Sequence, residues 1–282
     1  MIMTKKINLY YHLLKNFIQY NLLKYLLFFL TLSHRKLLKN KKSNNNNNVK
    51  RDSVVIFGSG KILNKLTVDE KKLLSESKII FMNKNLIFWN YIGLWPNYYF
   101  LADTPLKSNL AVKIFNDTLK TVKENEFDAP TFILEKFYKY GLPKNLSCIY
   151  FDYNMSKNLN WASNLNQVMF GHFGSLTTLL NLVDVLDLGK KVMLVGFDMN
   201  ARDYFFESDK KFNDYTDKSF FADGKMHPNL EKINNINMFS YWKIISDNLN
   251  VKNIKLYCNN HKSMLVKENL VEYMSINKFY EE

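Results

Sequence analysis

Residues 53–62 read SVVIFGSGKI. Gly58, Ser59 and Gly60 end an apolar run, and glycines at that place permit a tight turn and a close backbone approach. Amides opening a following helix can then face an anion. Polar residues close several other apolar runs in the same way. Asn83 follows KIIFM, Asp103 and Thr104 follow YYFLA, Gly196 and Asp198 end VMLVGFD, and Asn259, Asn260 and Ser263 follow KLYC. Such groups at the carboxyl ends of parallel strands converge on one crevice and suit a polar ligand. Each alone has a plainer role as a cap or turn. Their joint occurrence is the stronger signal.

A proton acceptor is also needed if the crevice does chemistry. His suits that task near neutral pH. Of the five histidines, His227 stands before Pro228 at a loop-to-helix junction, a place that also suits a plain capping or surface residue. His172 precedes a helix start and His261 lies in NNHKS, while His12 and His34 belong to a basic amino-terminal stretch. The glycine turn lacks the full G-x-G-x-x-G fingerprint because position 63 is Leu, and no G-x-x-x-x-G-K-[ST] occurs. The two cysteines, Cys148 and Cys258, form no metal-ligand pattern and read as reduced, buried thiols.

The elements that must position these residues are strands alternating with helices. Val54–Phe57, Ile79–Met82, a run within 95–105, 129–137, 147–153, VMLVGFD and about 253–258 read as strands. Leucines at helical spacing over 61–76 predict a helix running on from the glycine turn. Leu176, Leu179, Leu180, Val183, Leu186 and Leu188 predict another, with Gly189 as its left-handed end residue. Further helices are expected over about 230–248 and at the carboxyl terminus. The polar stretch 200–226 has little periodicity and is long for a connection, as an active-site loop or lid would be. The fold class is therefore α/β, a Rossmann-like, mostly parallel sheet with helices on both faces.

Composition sets the wider bounds. The chain has 282 residues, 47% hydrophobic, enough for one main domain and an appendage. The net charge of +13 suggests anionic partners. Lysine supplies most of it, and no arginine-rich run or nucleic-acid motif appears, so nucleic acid ranks below a membrane surface or sugar phosphates. Residues 1–42 mix Leu, Phe and Tyr with Lys, Arg and His and read as a basic amphipathic helical arm. The longest uninterrupted apolar piece, 25–32, is too short to span a bilayer, and no small-residue cleavage site follows it. The alternative is a helix packed on the domain or on another subunit of a homo-oligomer. Residues 43–51, with NNNNN, read as a linker, and 52–282 as the binding domain.

An ordered set of short motifs gives this reading a direction. FGSG at 57–60, FMN at 81–83, ADTP at 102–105, LGKKVMLVGFD at 188–198, His227 before a helix and KLYCNNHKSML at 255–265 resemble the bacterial sialyltransferases of glycosyltransferase family 42. The resemblance covers roughly 53–266, in family order. It implies a GT-A-variant fold and a CMP-sugar donor. It implies nucleotide contacts at Gly58, Ser59, Gly60, Asn83 and Thr104, with Asp103 beside the last. Beside these, the strand-end reading keeps Gly196, Asp198 and Asn259 along the crevice, and Ser175 at the helix start is a further binding candidate. Tyr204 matches a family tyrosine that binds the phosphate leaving group, and Arg202 stands in for a second one. His227 matches the general base. The chain departs from the family at Ser59, where Asn is usual, and in GHFGS, where His172 stands in place of an Arg segment.

The resemblance implies an inverting glycosyltransferase moving sialic acid or a related 2-keto acid sugar from a CMP donor to a cell-surface glycan or glycolipid. No Asp-x-Asp motif of the metal-dependent sugar transferases is present, so no metal and no cofactor are expected. The expected location is cytoplasmic, bacterial, and peripheral to the inner membrane, as in lipooligosaccharide biosynthesis. The rival readings are a pyrophosphokinase-like or motility-associated enzyme of similar fold, and a non-catalytic nucleotide-binding scaffold.

Overall fold

Among the described residues, eight parallel strands form one sheet in the order β5-β4-β3-β2-β1-β6-β7-β8. They are β1 (Ser53–Phe57), β2 (Lys78–Met82), β3 (Tyr98–Leu101), β4 (Thr131–Glu135), β5 (Cys148–Phe151), β6 (Lys191–Val195), β7 (Lys255–Cys258) and β8 (Glu272–Tyr273). The computed structural model describes residues 52–102, 108–136, 146–153, 159–171, 174–199, 204–211 and 237–281. The chain divides into two units, Met1–Asn47 and Asn48–Glu282, and all of these residues belong to the second.

Burial explains the strand sequences. All five residues of β1 are buried, as a central parallel strand covered on both faces requires. Alternation then sends Val54 and Ile56 to one face and Val55 and Phe57 to the other. The first face packs on α4 (Ser175–Val185) and α5 (Trp242–Val251) through Leu176, Leu179, Leu180, Trp242, Ile245 and Leu249. The second packs on α1 (Val68–Leu74), α2 (Trp89–Ile92), α3 (Ser108–Asn125) and α7 (Ile276–Glu281) through Leu74, Ile92, Phe115 and Phe279. A further short helix, α6 (Met264–Lys267), follows β7.

Chain direction follows from this layering. From β1 the chain steps outward through β2, β3, β4 and β5, with its helices on the second face. It then returns along α4 on the first face to lay β6 beside β1. Right-handed crossovers moving in opposite directions must use opposite faces. The reversal makes the β1–β6 boundary the topological switch point, where open α/β sheets bind ligands.

Three local expectations need correction. The helix expected over 61–76 is two pieces, a 3-10 turn at Lys61–Lys65 and then α1. Thr67 and Glu70 break it by forming a capping box, a new helix start. Helix α4 ends on Asp187, not Gly189. Asp187 takes the left-handed conformation (φ 47°), Leu188 N bonds Val183 O, and Asp187 N bonds Asp184 O, the two bonds of a Schellman ending. Gly189 is small for another reason: a Cβ there would meet Val54 Cγ2 at 2.9 Å. Cys258 is buried, but Cys148 is only half-buried, because β5 is an edge strand; both thiols are free. Two elements were not expected from the sequence, the amphipathic helix α3 and the two-residue strand β8.

Candidate functional site

The glycine turn after β1 and the Gly196–Asp198 turn after β6 meet at the switch point. Gly58 N donates to Val195 O and Gly60 N to Gly196 O, each at 2.8 Å. The contact is close enough to require glycine on both sides. A Cβ on Gly58 would lie 2.4 Å from Gly196 O, and Gly196 has φ +77°. A Cβ on Gly60 would lie 2.3 Å from Asp198 Oδ2.

Asp198 is held from two more directions. Asn260 Nδ2 donates to its Oδ1 at 2.6 Å, and Ile62 N approaches its Oδ2 at 3.4 Å, a long hydrogen bond. Asn260 is only 7% exposed and its own Oδ1 accepts from Lys262 N at 3.0 Å. Nearby, Ser263 Oγ donates to Phe197 O at 2.5 Å, tying the loop after β7 to the loop after β6.

On the other side of β1, Asn83 follows β2 with a left-handed backbone (φ 51°), which asparagine tolerates better than most residues. The Tyr99 hydroxyl donates to the Asn83 carbonyl and fixes that conformation. Asn83 Nδ2 lies 3.4 Å from Ser175 Oγ, which lies 3.4 Å from Ala102 O. The ends of β2 and β3 and the first residue of α4 are thereby gathered at one place. The Oδ1 atoms of Asn83 and Asn259 are both buried and have no hydrogen-bond partner among the described residues. Buried amide oxygens are ordinarily satisfied, so two orphans on one sheet edge mark places where a ligand donor fits.

Tyr204 reaches the turn through its backbone. Gly60 and Tyr204 form an antiparallel bridge, and Phe205 N donates to Ser59 O at 3.1 Å. Asn64 Nδ2 donates to Phe205 O at 3.1 Å. The Tyr204 ring stacks on Phe206 at 5.0 Å, and Phe206 stacks on buried Phe88 at 4.1 Å. Tyr204 N donates to Glu207 Oε1 at 2.6 Å, and Lys61 Nζ pairs with Glu207 Oε2 at 3.7 Å.

Of the site residues expected from the sequence, Gly58, Ser59, Gly60, Asn83, Ser175, Gly196, Asp198, Tyr204 and Asn259 lie along this carboxyl edge. Asp103, Thr104, Arg202 and His227 lie outside the described residues, as does His172. His261 is described, and its ring meets Tyr273 edge-on at 5.8 Å. Sequence reasoning missed Asn85, which is 1% exposed and donates to Phe57 O and Gly58 O at 2.7 Å each. Its signal was the N-K-N spacing after β2, two asparagines on a single turn. The edge continues past β4 and β5, where Lys136 pairs with Asp152 and burial pushes the Tyr153 hydroxyl above its ordinary pKa. Among the described residues, no group of three His, Cys, Asp or Glu side chains is placed to hold a metal ion. Nor is any helix there long and apolar enough to cross a membrane.

Two solved structures are similar to this chain. One is the monofunctional alpha-2,3-sialyltransferase Cst-I from Campylobacter jejuni, at 13% identity and TM-score 0.47, covering 81% of this chain and 82% of that one. The other is a point variant of the sialyltransferase Cst-II in complex with CMP, at 15% identity and TM-score 0.48, covering 80% and 88%. No protein-family model and no curated protein matches the chain.

Proposed function

We propose that this protein is a glycosyltransferase that moves an acidic 2-keto sugar, sialic acid or a Kdo-like relative, from a CMP donor to a hydroxyl of a glycan or glycolipid. The observation that carries this reading is Asn83. Its backbone is locked by Tyr99, its amide nitrogen faces Ser175, and its buried Oδ1, at the carboxyl end of β2, has no donor among the described residues. A nucleoside hydroxyl or exocyclic amine would supply that donor. The motif order in the sequence, from FGSG through KLYCNNHKSML, supports the same class of ligand.

The chemistry asked of the chain is modest. A CMP-sugar already carries its leaving group, and hydroxyls or cations can offset the charge that develops on the departing phosphate. Tyr204, docked beside Ser59 and Gly60, is the proposed hydroxyl, with Arg202 as the cation. His227 is the proposed base that takes the proton from the acceptor hydroxyl as it attacks the anomeric carbon. Attack from the face opposite CMP inverts that carbon in a single displacement. No metal is assigned a part. The amino-terminal arm, rich in lysine and aromatic residues, is proposed to hold the enzyme on an anionic inner-membrane leaflet near a lipid-linked acceptor.

The test is binding first, turnover second. Thermal-shift titrations with CMP, CDP, UMP, GDP, ATP and NAD, each with and without magnesium, should show selective stabilisation by CMP that needs no metal. Release of CMP from CMP-sialic acid or CMP-Kdo with a glycan acceptor should follow. Stabilisation by ATP with magnesium alone would replace this reading with a kinase-like one.

A further inference from the structure

The glycine turn sits where dinucleotide-binding sheets cradle a pyrophosphate on backbone amides. Here those amides are already engaged. Gly58 N and Gly60 N bond the carbonyls of Val195 and Gly196, and Ile62 N, inside the 3-10 turn that follows, faces the Asp198 carboxylate. That carboxylate rests on Gly60, in the space a Cβ would fill, and Asn260 fixes its other oxygen at 2.6 Å. We propose that Asp198 is a specificity-determining residue. Its carboxylate serves as a built-in anion that fills the cradle of the glycine turn and turns away phosphate and diphosphate groups.

This deepens the proposed function and rests on it for the identity of the donor. A second anion brought against Asp198 meets like-charge repulsion and finds the amides of Gly58, Gly60 and Ile62 committed. Dinucleotides and nucleoside diphosphate sugars, whose bridging phosphates need such a cradle, are disfavoured at this turn. A donor whose single phosphate is met by the Tyr204 hydroxyl, and not by the turn amides, is accommodated. The Gly60 position then serves the close approach of two protein turns. Gly60 and Asp198 form one matched unit, with Asn260 as its positioning residue.

The experiment is a pyrophosphate titration of the full chain, followed by amide NMR shifts and by calorimetry, with CMP titrated in parallel. In the wild-type protein the amides of Gly58, Gly60 and Ile62 should not shift with pyrophosphate. In Asp198→Asn, which keeps the shape and removes the charge, pyrophosphate affinity should rise by about tenfold or more, the scale of one relieved like-charge contact. Asp198→Ser replaces that variant should it fail to fold. Saturable wild-type shifts at those amides, or a folded neutral variant with no gain, would overturn the proposal. Absence of CMP binding in the same samples would remove the transferase reading and leave the pyrophosphate result to decide the role of Asp198.

Discussion

Asn85 donates both protons of its side-chain amide to the backbone of the glycine turn, one to Phe57 O and one to Gly58 O, at 2.7 Å each. The two carbonyls diverge from the last β1 position into the turn, and a single buried amide bridges them. Asn85→Asp replaces this donor with an acceptor facing two carbonyls. The expected cost is about 2–4 kcal/mol, one lost buried amide plus an unsatisfied charge. The urea midpoint measures it, and the loss should shrink at acid pH, where a protonated carboxyl can restore one bond.

Gly60→Ala and Gly58→Ala should fail differently. Gly60 has φ −71° and ψ 153°, which alanine adopts without strain, so the nearest obstacle is the Asp198 carboxylate. Gly60→Ala alone should destabilise by about 1–3 kcal/mol, the usual scale of an overpacked contact. Combining it with Asp198→Ala should recover about 1 kcal/mol or more of coupling in a double-mutant cycle. The Gly58 neighbour is the Gly196 carbonyl, a backbone atom that no side-chain change removes. The same Asp198→Ala partner should therefore give Gly58→Ala no relief.

These relationships show how far the sequence could be read. Apolar runs located β1 to β7, most plainly the central strands, because a strand buried on both faces has no polar alternation to blur it. The polar residues after those strands located the ligand edge. What the sequence hid were contacts between distant turns. Nothing local marks Asp198 as the neighbour of Gly60, since that depends on β6 pairing with β1 across more than a hundred intervening residues. Helix α3 was overlooked although it is amphipathic: it begins three residues after Pro105, which drew attention as a strand stop, and its apolar stripe is narrow among Lys, Asn and Thr. The break between the 3-10 turn and α1 was legible in T-V-D-E, a capping-box spacing outweighed by the leucine pattern around it.

Stability should fall on the alkaline side. Burial raises the thiol pKa of Cys258, and of Cys148 to the extent that it is covered. In the unfolded chain both thiols release protons near their ordinary value of about 8.5. The native state still holds its protons there, so the unfolded state binds fewer and stability declines as pH rises. It is complete below the ordinary thiol value and is lost as pH climbs toward the raised native values. Urea midpoints at about pH 7 and about pH 10 bracket that window. Cys258→Ala should lower stability at both and flatten the slope between them; an unchanged slope would exclude Cys258 as its source.

His227 and Tyr204 can be separated by what each variant leaves intact. If His227 takes the acceptor proton, His227→Ala should lower CMP release by about 10²–10⁴-fold, the span of a lost general base, with CMP affinity unchanged. Tyr204→Phe keeps the ring stacked on Phe206 and removes only the hydroxyl. Its effect should appear in kcat with CMP affinity retained. Tyr204→Ala also removes the stack, worth about 0.5–1.5 kcal/mol beyond its buried area, and should loosen the segment that bridges to Gly60. The three variants, assayed for CMP release, CMP binding and thermal stability, assign each residue a distinct signature. A Tyr204→Phe protein with full turnover would leave Tyr204 as a purely structural clamp on the glycine turn. The charge on the departing phosphate would then fall to Arg202 alone.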